Sequence, residues 1–284
     1  MLILARPLVA LAAVLSLGLP AACSEDSETD AARPRPTPTV ASVRPTEQPW
    51  VLPRGRLARC GPQPPAVSDL RYEHVRLEDP AVGRSSAISV GRGPTVVVLL
   101  HQTNGDGWCG WLPFLGARPD AAVRFLAVDL CRYGASDCVK VESGRFEAED
   151  QTDLVRVAVD HARTRMGARR VVLMGASMGG SVALMGASTL AGIDAVVDLS
   201  GPSDWPGAEV VRRGRAVRVP VLVAMAGDEG PEEVAAARAV VRNAPGGSRL
   251  HLVAHGHGYE LLNDDDGRPL AFSRAVLRWI VDAG

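Results

Sequence analysis

Arg170-Val171-Val172-Leu173-Met174-Gly175-Ala176-Ser177-Met178-Gly179-Gly180 decides the fold of this 284-residue chain. A continuous run of β-branched and aliphatic residues marks a strand buried on both faces, as in a parallel sheet. Small residues follow at once, and the stretch 178–190 has the composition of a closely packed helix. A serine between two glycines at such a strand-to-helix joint has a steric explanation. The turn is sharp, the helix packs close behind it, and only small flanking residues fit while the serine hydroxyl is pushed outward. The helix N-terminus behind that hydroxyl favours developing negative charge.

The same alternation extends in both directions. Stretches 95–101 (TVVVLLH), 124–130 (RFLAVDL), 195–199 (AVVDL) and 219–225 (VPVLVAM) read as further buried strands, and 249–254 reads as a strand. Stretches 72–78 and 85–92 read as partly exposed strands. Helices are expected over 149–166, 232–241 and 269–281. Strands alternating with helices predict an α/β fold, with a mostly parallel central sheet and helices on both faces. Chemistry in such sheets sits at the carboxyl ends of the strands. Fewer than 20 residues separate the strand ending near Ser200 from the one beginning at Val219, so a large lid has no room.

Two further strand ends carry reactive side chains. After 219–225 comes Ala226-Gly227-Asp228-Glu229-Gly230, where either carboxylate could orient a histidine. Asp228 is preferred because it directly follows the glycine at the strand end, and Glu229 is the alternative. The other member is expected to cap the helix that begins near Pro231. After 249–254 comes His255-Gly256-His257-Gly258, in which His257, flanked by glycines, is the candidate base. The pair does not match H-E-x-x-H and has no nearby cysteine or third histidine, so no metal is expected. His161 and His251 read as structural.

The order Ser177, acid, His257 resembles the α/β-hydrolase superfamily, near its small carboxylesterase and dienelactone-hydrolase-like branch, over about residues 70–284. Two more segments resemble that family. His101-Gln102-Thr103-Asn104-Gly105 stands where many members have His-Gly after a central strand, and 129–136 (DLCRYGAS) resembles their D-x-R-G-x-G-x-S loop. The resemblance implies a serine hydrolase that cleaves carboxylic esters through an acyl-enzyme. Ser177 would be the nucleophile, His257 the base and Asp228 (or Glu229) the acid. An oxyanion hole would be built from the Met178 amide and that of Gln102 or Thr103. Gln102 departs from the family's usual glycine, which leaves that last choice open. Trp108 and Trp111 follow the oxyanion loop and either line a substrate pocket or pack in the core. No cofactor is expected. The alternatives are a catalytically silent lipoprotein that binds a ligand or partner in the same cleft, and a peptidase or acyltransferase on the same fold.

Composition bounds the setting. The net charge of −1, from 31 basic and 32 acidic residues, excludes a nucleic-acid binder held by bulk electrostatics. Residues 1–22 read as a signal peptide: one arginine, an apolar run over 8–19, then small residues before Cys23. That ending resembles a bacterial lipobox, with Pro20 in the usual leucine place, and implies a lipid on Cys23. Residues 23–65 are acidic and then proline-rich (Pro34, Pro36, Pro38, Pro45, Pro49, Pro53), which predicts an extended tether ahead of a folded domain over 66–284. The expected partners are therefore a small ester and, through Cys23, a membrane, with the domain a monomer on the outer face of the cytoplasmic membrane or secreted. Export permits disulfides, and the even set Cys60, Cys109, Cys131 and Cys138 allows three pairings, of which 131–138 with 60–109 is favoured.

Overall fold

The computed structural model describes residues 50–103, 106–117, 122–139 and 148–282. The leader, Cys23 and the tether up to residue 49 lie outside the described residues, as do Asn104 and Gly105.

One mixed sheet organises the domain. Its strands are β1 (Tyr72–Asp79), β2 (Gly83–Gly91), β3 (Thr95–Leu100), β4 (Val123–Val128), β5 (Asp137–Cys138), β6 (Arg170–Ala176), β7 (Ala195–Leu199), β8 (Val221–Ala226) and β9 (Arg249–Val253). The spatial order is β1-β2-β4-β3-β6-β7-β8-β9, with β5 paired to β2. β1, β2 and β5 join antiparallel, and everything from β4 to β9 is parallel. The helices are α1 (Leu112–Ala117), α2 (Ala148–Thr164), α3 (Met178–Thr189), α4 (Pro231–Asn243) and α5 (Ala271–Asp282).

Period-two alternation divides the central strands between two cores. Val96, Val98 and Leu100 of β3, with Leu126 and Val128 of β4, pack under α2, α3 and α4. Val97, Leu99, Phe125 and Ala127 face the other way, toward α1 and α5. This two-sided burial is why these strands read as unbroken apolar runs rather than alternating ones. Between β7 and β8 the chain makes turns without a helix, as the short spacing predicts. The buried carboxylate of Glu209 ties that connection together through Arg212 and Arg213.

Topology places the site. From β3 the chain steps outward to β4, then crosses back to β6 on β3's other side. The carboxyl ends of β3 and β6 therefore flank a switch point, the crevice where α/β sheets bind ligands.

The expected tether boundary moves. Residues 50–65 belong to the folded domain. Val51 and Gln63 exchange both backbone hydrogen bonds at 2.8 Å, and Leu57 is buried. Arg59 donates to both carboxylate oxygens of Asp129 at 2.8 Å while its guanidinium lies 4.2 Å from the centre of the Trp108 ring. Cys60 is bonded to Cys109 and Cys131 to Cys138, with Cα separations of 5.2 and 5.5 Å. Proline content suggested an extended spacer up to residue 65, but contacts with partners 49 to 70 residues away override it.

Candidate active site

Ser177 sits between β6 and α3 with φ +50° and ψ −123°, a region that non-glycine residues occupy only when their surroundings enforce it. Here they do. The Ser177 amide donates to Leu199 at 2.8 Å, and its carbonyl accepts from Gly180 and Ser181 at 2.7 and 3.2 Å. The flanking glycines are sterically required. A Cβ on Gly175 would lie 1.9 Å from the Gly179 carbonyl oxygen, and one on Gly179 would lie 2.2 Å from that of Leu100. Small residues around the serine are thus the condition for α3 to approach β6 and β3.

The histidine loop lies against this elbow. A Cβ on Gly258 would be 3.4 Å from the Ala176 Cβ, which puts His257 and Gly258 beside the serine's own strand end. Among the described residues no hydrogen bond joins the Ser177 hydroxyl to the His257 ring. Hydrogen bonds between a nucleophile and its base are often long in structures without substrate. The His257 amide donates to Glu260 at 3.1 Å, fixing the loop.

The acid facing His257 is Glu229, not the preferred Asp228. Nδ1 of His257 lies 3.5 Å from Oε1 of Glu229. The same oxygen accepts the Ser200 hydroxyl at 2.5 Å and the Ala226 amide at 3.3 Å. Asp228 turns outward and pairs with His255 at 2.7 Å, both largely in solvent. A single turn of 3-10 helix over Gly227–Glu229 causes the exchange, carrying the second carboxylate inward rather than the first. Burial pushes the Glu229 carboxyl up, but hydrogen bonds from His257, Ser200 and Ala226 outweigh it and hold the group below its usual range. Glu229 in turn raises the His257 imidazole above its ordinary value against the opposing effect of burial, with Glu260 and Asp198 adding to the rise.

On the other side of the crevice, His101 is buried and neutral, its pKa lowered to about 4 mainly by loss of solvent. Its Nε2 accepts the Leu130 amide at 2.9 Å, so Nδ1 carries the proton and donates to the Gln102 carbonyl at 2.8 Å. Asp129 anchors the neighbouring loop by accepting amides from Trp108 and Ala135, both at 2.9 Å. The Gln102 amide, one of the two candidates in the loop after β3, donates to the Tyr259 hydroxyl at 3.1 Å. Among the described residues, neither the Thr103 nor the Met178 amide has an acceptor within the protein.

Trp108 and Trp111 do not line a pocket. They are 1% and 0% exposed. Trp108 carries Arg59 on its face, and Trp111 meets Phe114 and Tyr259 edge-on. The core alternative holds for both, since each is packed into the apolar core on the α1 and α5 side of the sheet.

A sequence model described as the Alpha/beta hydrolase family matches residues 97–283. The chain belongs to that family. Solved structures of similar fold include a dienelactone hydrolase from Anabaena variabilis, 18% identical, with a TM-score of 0.56 over 75% of this chain and 97% of that one. An epoxide hydrolase from Vigna radiata is 14% identical, with a TM-score of 0.58 over 74% and 98%. An esterase from Pyrococcus furiosus is 15% identical, with a TM-score of 0.54 over 75% and 91%. No curated protein sequence matches the chain. Among the described residues of this alpha/beta hydrolase, no group of three or more His, Cys, Asp or Glu is arranged to hold a metal ion, and no helix is long and apolar enough to cross a membrane.

Two contributors to the site escaped the sequence reading. Ser200 and Tyr259 carry no motif, and each reaches its partner across the fold. The one signal for Tyr259 was the glutamine at 102, where the family's pattern has glycine.

Proposed function

We propose that this alpha/beta hydrolase is a serine hydrolase that cleaves small or extended carboxylic esters. The observation that carries the reading is the strained Ser177 elbow at the end of β6, beside a histidine paired with a partly buried carboxylate. His257 takes the Ser177 proton as Oγ attacks the ester carbonyl. Glu229 holds the imidazole with its proton on Nδ1 and stabilises the imidazolium. The Met178 and Thr103 amides receive the oxyanion, where losing one donor costs about 2.7–4 kcal/mol. His257 then returns the proton to the leaving alcohol, and water, deprotonated by the same ring, releases the acid. The lidless connection between β7 and β8 supports an open cleft. The leader and Cys23 support export and lipid anchoring at the outer face of the cytoplasmic membrane.

Ser177→Ala tests the reading. The variant should lose turnover of p-nitrophenyl acetate and labelling by a fluorophosphonate, while the wild-type chain shows both. A wild-type chain inert to the probe and to a panel of esters would leave the silent ligand-binding alternative. Turnover of amides, or transfer to alcohols in preference to water, would point to the peptidase or acyltransferase.

A further inference from the structure

The loop after β3 and the loop after β9 are joined by a reciprocal pair of contacts between Gln102 and Tyr259, residues 157 apart in sequence. The Gln102 amide donates to the Tyr259 hydroxyl at 3.1 Å, and the Tyr259 amide donates back to Oε1 of Gln102 at 3.4 Å. Glycines make the room. A Cβ on Gly110 would lie 2.3 Å from the Tyr259 ring, and one on Gly258 would lie 2.2 Å from Oε1 of Gln102. Gly258 also has φ +58°, so its backbone turn favours glycine independently of that contact. Trp111 closes against the tyrosine edge-on, with ring centres 4.8 Å apart. The phenol is therefore fixed by its ring as well as by its hydroxyl.

We infer that Gln102 and Tyr259 form a clamp that sets the Thr103 amide in the oxyanion hole and couples that loop to the one bearing His257. Tyr259 is then a positioning residue. Its hydroxyl is engaged by the Gln102 amide, and through that bond it holds the peptide that precedes the donor. With its own amide engaged, Gln102 cannot swing in as a competing donor. Burial pushes the phenol up from its usual value, so the hydroxyl stays neutral and available to the amide through the working range of pH. The glutamine that departs from the family pattern thereby gains a physical reason: its side chain reaches the facing loop, which a glycine could not.

The inference rests on the hydrolase reading, and the test separates the two. In the full chain, kinetics on p-nitrophenyl acetate and inhibition by a boronic acid that forms a tetrahedral adduct on the serine are measured for Tyr259→Phe. The phenylalanine keeps the ring contact with Trp111 and loses only the hydroxyl. We expect kcat to fall about tenfold or more, KM to stay within about twofold, and boronate affinity to fall by the same factor as kcat, as for a displaced oxyanion donor. Gln102→Met keeps the amide, loses Oε1, and should show the same split with a smaller drop. This variant decides the matter if the tyrosine variant does not fold. A kcat within twofold of wild type, or a change confined to KM with boronate affinity unaltered, overturns the clamp. Undiminished activity in Ser177→Ala would overturn the hydrolase reading instead.

Discussion

Ser200 adopts φ +59° although it is not glycine, and it is fully buried at the end of β7. Its hydroxyl donates to the carboxylate that faces His257, a reason for serine in a backbone region that favours glycine. At this scale the roles of two adjacent acids separate. Glu229→Gln should reduce kcat/KM about 10³-fold. It should also move the acidic limb of the pH–kcat/KM profile to lower pH, because the charge that raises the His257 pKa is gone and the base becomes free at lower pH. Asp228→Asn should leave both within about twofold, a surface pair being worth little. Equal losses in the two variants, read from steady-state profiles between pH 5 and 9, would refute the assignment. The places of Ser177 and His257 at strand ends were legible because their flanking glycines mark those turns. Which carboxylate faces His257 was not, because the choice between neighbours depends on one short turn that both carboxylates satisfy on paper.

Among the elements, the apolar strands were the most legible. The runs at 95–101, 195–199 and 219–225 correspond to β3, β7 and β8 within two residues. α1 went unread because it spans only Leu112–Ala117, under two turns, too short to show a helical period of its own. The proline-rich approach was misread from residue 50 onward, since composition cannot show a cysteine or an arginine meeting a distant partner. Removing residues 1–65 takes away Leu57, Arg59 and Cys60, and leaves Asp129 buried without its counter-charge. Breaking such a pair costs about 3–5 kcal/mol. A chain beginning at residue 66 should therefore melt about 10 °C below one beginning at residue 46. Coincident melting curves by circular dichroism would show that the N-terminal segment contributes nothing.

For the molecule as a whole, stability should depend on a carboxyl that the proposed reaction does not use. Asp198 is enclosed at the end of β7, where burial raises its pKa to about 7 against the opposing effect of the Gly201 amide. Its folded value lies above its unfolded one, so the folded state holds the proton more tightly. This contribution is fully present below about pH 4 and is lost as pH rises toward 7. Asp198→Asn keeps an acceptor for Gly201 and removes the titration. Its unfolding free energy relative to wild type, measured by denaturant titration, should climb between pH 5 and pH 8 by an amount on the order of 2–3 kcal/mol. A constant offset across that range would contradict the buried ionisation.

The bond between Cys60 and Cys109 has one more consequence. It closes a ring 49 residues around, and β1, β2 and β3 all fall inside it. An oxidised chain that unfolds cannot let these strands drift far apart, so the edge hairpin of the sheet and β3 have a shortened conformational search when they reform. A reduced chain begins that search from open contour.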